Sequence, residues 1–138
     1  MELHERLRVE VERKVDHVIA GVAETLEKVL SEGGVRPRDL RRMVEALEPS
    51  FRLLSKRWVL LILYVLLMLG RASFSDIVRL TGLSKPVVST RLKELERAGL
   101  VERTVIERPL STIYALTGRG RDLALLSIPL LYYLAYRK

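Results

Sequence analysis

The 138 residues suit one compact domain, or one small domain with a helical extension, and at 49% apolar the chain has enough nonpolar side chains for a real core. The 30% charged residues argue against a fully membrane-embedded protein, and the lack of cysteine excludes disulfides, thiolate metal sites and cysteine nucleophile chemistry. Residues 1–49 hold 9 Lys/Arg against 11 Asp/Glu, a net of −2, whereas residues 50–138 hold 15 against 6, a net of +9; such asymmetry points to one segment that meets an anionic polymer or membrane surface and another with a different role.

Residues 2–31 read as one long helix. Leu3, Leu7, Val11, Val15, Val18, Val22, Leu26 and Val29 recur at steps of three or four, and the pairs Glu2–Arg6, Glu10–Lys14 and Glu24–Lys28 stand four apart. Gly33 and Gly34 end it. The mean step is about 3.7 residues, so strong left-handed supercoiling is not expected. A helix about 45 Å long at ~1.5 Å per residue outreaches a small domain, which favours a seam with a second copy through Val11, Val15, Val18, Val22 and Leu26 over a helix folded back on its own domain. A second helix starts near Pro37, presents Leu40, Met43, Val44 and Leu47 on one face, and closes at Pro49.

From Ser50 the chain changes character. Phe51 to Leu69 reads as one helix, apolar nearly all round from Trp58 and stopped by Gly70. Ser73 caps a short helix with Asp76 three residues on, and Ile77 and Leu80 face inward. After a tight turn at Gly82, Ser84 caps a helix with Pro86 in its first turn; it runs to Ala98 and ends at Gly99. Two β-prone runs follow, 100–105 and 112–116, around a loop from Ile106 to Ser111 with Arg108 near its tip. Thr117 caps a last helix, which Pro129 should end or kink. The apolar runs Trp58–Leu69 and Leu123–Tyr136 have 12 and 14 residues, short of the ~20 that span a bilayer. The N-terminus is charged from Glu2 onward, which does not suit a secretory signal, and a cytoplasmic location is expected.

Two short helices joined by a turn, then a hairpin, make a helix-turn-helix followed by a wing. The expected fold is mainly α with a small β-hairpin wing: a winged helix-turn-helix with a long N-terminal helix. The expected division is a dimerising extension over 1–49, a winged helix over 50–124 and a C-terminal helix over 125–138. In the helix from Lys85, Val88, Leu92 and Leu95 fix one side in the core. The other side then presents Lys85, Pro86, Ser89, Thr90 and Lys93: hydroxyls that reach base edges, and cations for bases or phosphates.

Several segments together resemble a known family. Ser55-Lys56-Arg57-Trp58 through Leu63 is similar to the opening "GKW-x-x-x-IL" helix of the HxlR-type winged-helix regulators. Ser73-Phe74-Ser75-Asp76-Ile77 resembles their "RF-x-EL" segment, Val87 through Leu95 their recognition helix, and Gly99 through Val105 the strand after it. Tyr114-Ala115-Leu116-Thr117 with Gly120 matches their closing "Y-x-LT-x-x-G". MarR-like regulators share a looser form of the pattern. The resemblance implies a homodimeric transcriptional regulator on an inverted-repeat operator, with Ser84, Lys85, Ser89, Thr90, Arg91 and Lys93 at double-stranded DNA and Arg108 on the wing. The chain departs from the pattern at Lys56-Arg57, at Ser73 and in its 50-residue N-terminal extension. It also lacks the redox cysteine of many members, which removes thiol sensing.

Other readings are weaker. His4 and His17 lie thirteen apart on a charged helix, unlike a metal pair. Gly118-Arg119-Gly120 lacks the third glycine of a dinucleotide loop. No Ser/His/acid or paired-carboxylate set converges, so neither enzymatic activity nor a cofactor is expected. Trp58 with Tyr64 is ordinary packing rather than a ligand pocket, and no residue set specifies a small-molecule effector. The alternatives from other classes are an architectural DNA binder with little sequence preference and a protein-contact module in a transcription assembly. A membrane role for Leu130 through Tyr136 is set against a dimer seam through Leu130 and Leu134, which explains the same residues.

Overall fold

The computed structural model describes the backbone from Glu2 to Arg137 and side chains from Glu5 to Arg137. Leu3 of the apolar stripe, the Glu2–Arg6 pair and His4 therefore lie outside the described side chains. The chain forms two compact units, one of Arg52–Leu125 and one of Met1–Phe51 with Leu126–Lys138.

In the first unit α3 (Val59–Leu69) is the central element. Its Val59, Ile62, Leu63 and Leu66 are fully buried, which is what an all-apolar helix requires. Around it pack α4 (Phe74–Thr81), α5 (Lys85–Arg97) and a three-stranded antiparallel sheet of order β1-β3-β2, formed by β1 (Arg71–Ser73), β2 (Val101–Glu107) and β3 (Leu110–Leu116). The core takes Ile77 from α4, Val88, Leu92 and Leu95 from α5, and Ala72, Val101 and Tyr114 from the sheet.

The caps form as the sequence indicates. Ser73 Oγ accepts from the Asp76 N–H at 3.0 Å and Ser84 Oγ from the Val87 N–H at 3.4 Å. Gly82 takes a left-handed conformation, φ +68°, that a Cβ would disfavour. Arg79 first, then Ser73, holds the Asp76 carboxyl below the usual carboxylate range.

Several details differ from the sequence reading. The short strand β1 pairs Arg71, Ala72 and Ser73 with Ala115, Tyr114 and Ile113; three residues give no periodicity to read. Leu80 is 48% exposed, and Val78 packs on the core beside Ile77 instead. The hairpin is longer and its turn tighter, with strand pairing up to Glu107↔Leu110, so only Arg108 and Pro109 remain outside the ladder.

The expected helix over 51–69 is two helices. The second helix of the chain is α2 (Leu40–Ser55), entered through a 3-10 turn at Pro37–Asp39, and it continues through Pro49. That proline removes one backbone hydrogen bond, and helix formers on both sides carry the helix past it. The break falls instead at Lys56-Arg57-Trp58, where Trp58 adopts φ +76°.

In the other unit α1 spans Glu2–Ser31 as the periodicity predicts, and Gly33 follows it at φ +70°. Among the described residues its internal ion pairs are three apart, Glu5–Arg8 and Glu10–Arg13, so Glu10 serves Arg13 rather than Lys14. The last helix, α6 (Gly118–Tyr136), is not ended by Pro129. Its end meets α1: Arg137 Nη1 lies 2.8 Å from Asp16 Oδ1, and the Arg8 guanidinium stands 5.2 Å from the Tyr136 ring centroid. Val15 is 4% exposed within the single chain, while Val18, Val22 and Leu26 are exposed. The helix thus packs within its own unit around Val15, with Val11 and Val29 half-buried, and leaves Leu7, Val18, Val22 and Leu26 bare.

Candidate nucleic-acid interface

With Val88, Leu92 and Leu95 buried, the geometry of α5 decides which residues face away from the core. Pro86, Thr90, Lys93 and Arg97 follow one another at steps of four, three and four and are all exposed, as are Ser84 and Lys85 at the helix start. Ser89 is half-buried at the flank of this stripe. The stripe therefore offers hydroxyls and a flat apolar ring near the N-terminus and cations further along, a chemistry matched to base edges flanked by phosphates. The N-terminal end of the helix dipole adds a partial positive charge, although Pro86 has no N–H and the Val87 N–H is already taken by Ser84.

Arg91 is placed differently. It is half-buried, and its guanidinium donates to the Arg57 carbonyl oxygen at 2.8 Å and to Glu94 at 3.0 Å. Lys56 donates to the other oxygen of Glu94 at 2.8 Å and, with Arg91, holds that carboxyl below its usual range.

Arg97 is not among the contacts expected from the sequence, though its step from Lys93 continues the spacing from Pro86 through Thr90. Nor is Arg103, an exposed residue of β2 opposite Tyr114. At the far end of the hairpin Arg108 is exposed in the turn.

The far end of α5 is buttressed. Gly99 turns the chain at φ +75°, and the Leu100 N–H donates to the Leu95 carbonyl at 2.9 Å. Thr117 donates its hydroxyl to the Gly99 carbonyl at 2.7 Å and accepts from the Gly120 N–H at 3.0 Å, and its own N–H donates to the Leu100 carbonyl at 3.0 Å. Arg119 donates to the Ala98 carbonyl. Through these contacts the "Y-x-LT-x-x-G" residues clamp the start of α6 onto the end of α5.

Comparison with known proteins agrees with this geometry. Residues 53–134 match the family described as HxlR-like helix-turn-helix. The uncharacterized HTH-type transcriptional regulator YvaP of Bacillus subtilis (strain 168) is 48% identical over 84 residues, covering 59% of this chain and 77% of that one. The HTH-type transcriptional regulator YodB of the same organism is 42% identical over 83 residues, covering 59% and 73%. The structure of reduced YodB superposes with a TM-score of 0.58 at 36% identity, over 67% of this chain and 93% of that one. A possible HxlR family transcriptional factor from Thermoplasma volcanium GSS1 superposes with a TM-score of 0.52 at 37% identity, over 62% and 77%. The chain belongs to the HxlR-like helix-turn-helix family of transcriptional regulators.

Proposed function

We propose that the protein reads double-stranded DNA in a sequence-specific way as a homodimer, with α5 in the major groove and the β2–β3 hairpin beside it as a wing. The observation that carries this reading is the exposed stripe of α5 opposite the buried Val88, Leu92 and Leu95. Ser84, Lys85, Pro86, Ser89, Thr90 and Lys93 are the proposed contacts of that helix, and Arg108 that of the wing. The net +9 of residues 50–138 supports a phosphate-dominated affinity. The reading places the protein in the cytoplasm; among the described residues no helix is long and apolar enough to cross a membrane. YodB has been described in reduced, diamide-treated and quinone-bound forms. These 138 residues hold no cysteine, so a response through a thiol of this sequence has no chemical basis.

Binding is expected to fall steeply with salt, each neutralised phosphate contributing about −0.9 to the slope of log affinity against log salt. Lys93→Ala should make that slope shallower by about one such step. Ser89→Ala and Thr90→Ala should alter base preference, at about 1–3 kcal/mol per lost base contact, and leave the slope unchanged. Fluorescence titrations at several salt concentrations check all three, and unchanged binding throughout would remove α5 from the recognition role.

For the wing, Arg108→Ala should shorten the protected region at both flanks of a footprint while protection at the centre persists. A footprint identical to that of the parent protein would mean that the arginine projects into solvent without a nucleic-acid partner.

A further inference from the structure

Helix packing alone does not account for the polar contacts that join the corner at Lys56-Arg57-Trp58 to the middle of α5. Lys56 Nζ donates to Glu94 Oε2 at 2.8 Å, Arg91 Nη1 donates to Glu94 Oε1 at 3.0 Å, and Arg91 Nε donates to the Arg57 carbonyl oxygen at 2.8 Å. One carboxylate thus takes a cation on each oxygen, and one guanidinium spans a side chain of its own helix and the backbone of another element. The Glu94 and Arg91 side chains are only 18% and 23% exposed, so these bonds are less screened by water than ordinary surface pairs.

The corner itself is strained. Trp58 sits at φ +76°, a region that bulky side chains avoid unless the surroundings impose it. Arg91 holds the carbonyl of the peptide that leads directly into Trp58, so the orientation of that peptide and the left-handed turn are set together. The Arg57 guanidinium stacks over the Trp58 ring at 4.5 Å, and the Val59 N–H closes the turn on the Lys56 carbonyl at 3.2 Å.

We infer that Arg91, Glu94 and Lys56 form a brace that sets the attitude of α5 against the Trp58 corner, and that Arg91 acts as a positioning residue rather than as a contact to DNA. The inference rests on the proposed reading of α5 as the DNA-reading helix. It reassigns a cation that the family resemblance puts at the nucleic acid: the hydrogen bonds of Arg91 run to the corner and to Glu94, while the exposed Lys85, Lys93 and Arg97 are left to meet phosphates. Glu94 gains a purpose as well, because a carboxylate near a DNA-facing surface would otherwise repel the ligand.

The two roles differ in salt dependence. With the full chain and a duplex recovered by selection from random DNA, Arg91→Ala should weaken binding about tenfold and leave the salt slope as it is. Loss of a phosphate contact would instead lower the slope by about 0.9. Arg91→Lys should not restore affinity, because a single ammonium cannot reproduce the fixed fork to carbonyl and carboxylate. Glu94→Gln, which keeps the side-chain volume, should also weaken binding.

Trp58 is the only tryptophan, so its emission reports the corner without any DNA. Arg91→Lys and Glu94→Gln should each shift it, although the substitutions lie more than thirty residues away in sequence. A lowered salt slope in Arg91→Ala, tighter binding in Glu94→Gln, or unchanged Trp58 emission in both conservative variants would each overturn the inference. A parent chain that bound no duplex would overturn the functional reading instead, while the emission shift would still establish the brace.

Discussion

Replacing Gly120 with alanine should cost the winged-helix unit at least about 3 kcal/mol, because the new methyl group would collide with backbone rather than with a side chain that could move aside. A Cβ built at Gly120 lands on the carbonyl oxygen of Leu100 and lies 2.8 Å from its carbon and 3.2 Å from its Cα. That same carbonyl accepts the Thr117 N–H, and the Gly120 N–H donates to the Thr117 hydroxyl. The segment therefore cannot shift without breaking the clamp between α5 and α6. A loss of this size lowers a thermal midpoint by roughly 10 °C or more in a domain of this length. Gly118→Ala is the control, since nothing lies within 4 Å of a Cβ there; on a helix it should leave the midpoint unchanged or raise it slightly. Thermal melts of the two variants followed by circular dichroism decide the point, and a Gly120→Ala protein that melted with the parent would contradict the packing described between α6 and Leu100.

The second large effect is expected in the helical unit. Placing Asp at both Val18 and Val22 should split the proposed homodimer into monomers, or unfold the chain where folding and pairing are coupled. The reason is exposed apolar surface. Among the described apolar residues of α1 only Val15 is buried and Val11 and Val29 are half-buried, while Val18, Val22 (63% exposed) and Leu26 stand in water, as do Leu130 and Leu134 of α6. On α2, Leu40, Val44, Leu47 and Phe51 are bare in the same way. A monomer rarely leaves rows of apolar side chains uncovered along its helices, and each Val or Leu fully buried contributes on the order of 1.5–3 kcal/mol. A second copy would supply a cover of matching chemistry. Light scattering of the parent and the double variant at micromolar concentration is the check. A monomeric parent, or a variant that stayed a folded dimer, would show that α1 has a different role.

Much of the winged-helix unit is legible in the sequence because its signals are local. Ser73, Ser84 and Thr117 each satisfy N–H groups within three residues of themselves, Gly82 and Gly99 supply left-handed turns, and the spacing of Val88, Leu92 and Leu95 fixes the inward side of α5. The exposed stripe of the candidate interface follows from that spacing by subtraction. What escapes the sequence is set by partners distant along the chain. The break at Trp58 interrupts an apolar run that favours helix, and the groups that hold it come from Arg91 and Glu94 more than thirty residues on. Strand β1 exists only because β3 lies beside it. The burial of Val15 depends on the tertiary packing of its unit, so the periodicity of α1 shows an apolar stripe without showing how much of it the chain covers by itself. The resemblance implies Arg91 at the DNA, and nothing local to it in sequence marks the Arg57 carbonyl as its hydrogen-bond partner.

The central claim is that α5 reads a defined base sequence, and selection of bound sites from a pool of random duplex DNA tests it most directly. The recovered sequences are expected to share an inverted repeat whose half-sites lie about one helical turn apart, roughly 34–36 Å, and Ser89→Ala or Thr90→Ala is expected to change the bases enriched within a half-site. Recovery of sequences no different from the starting pool, by a protein that nevertheless binds the duplexes, would contradict the claim and leave an architectural binder in its place.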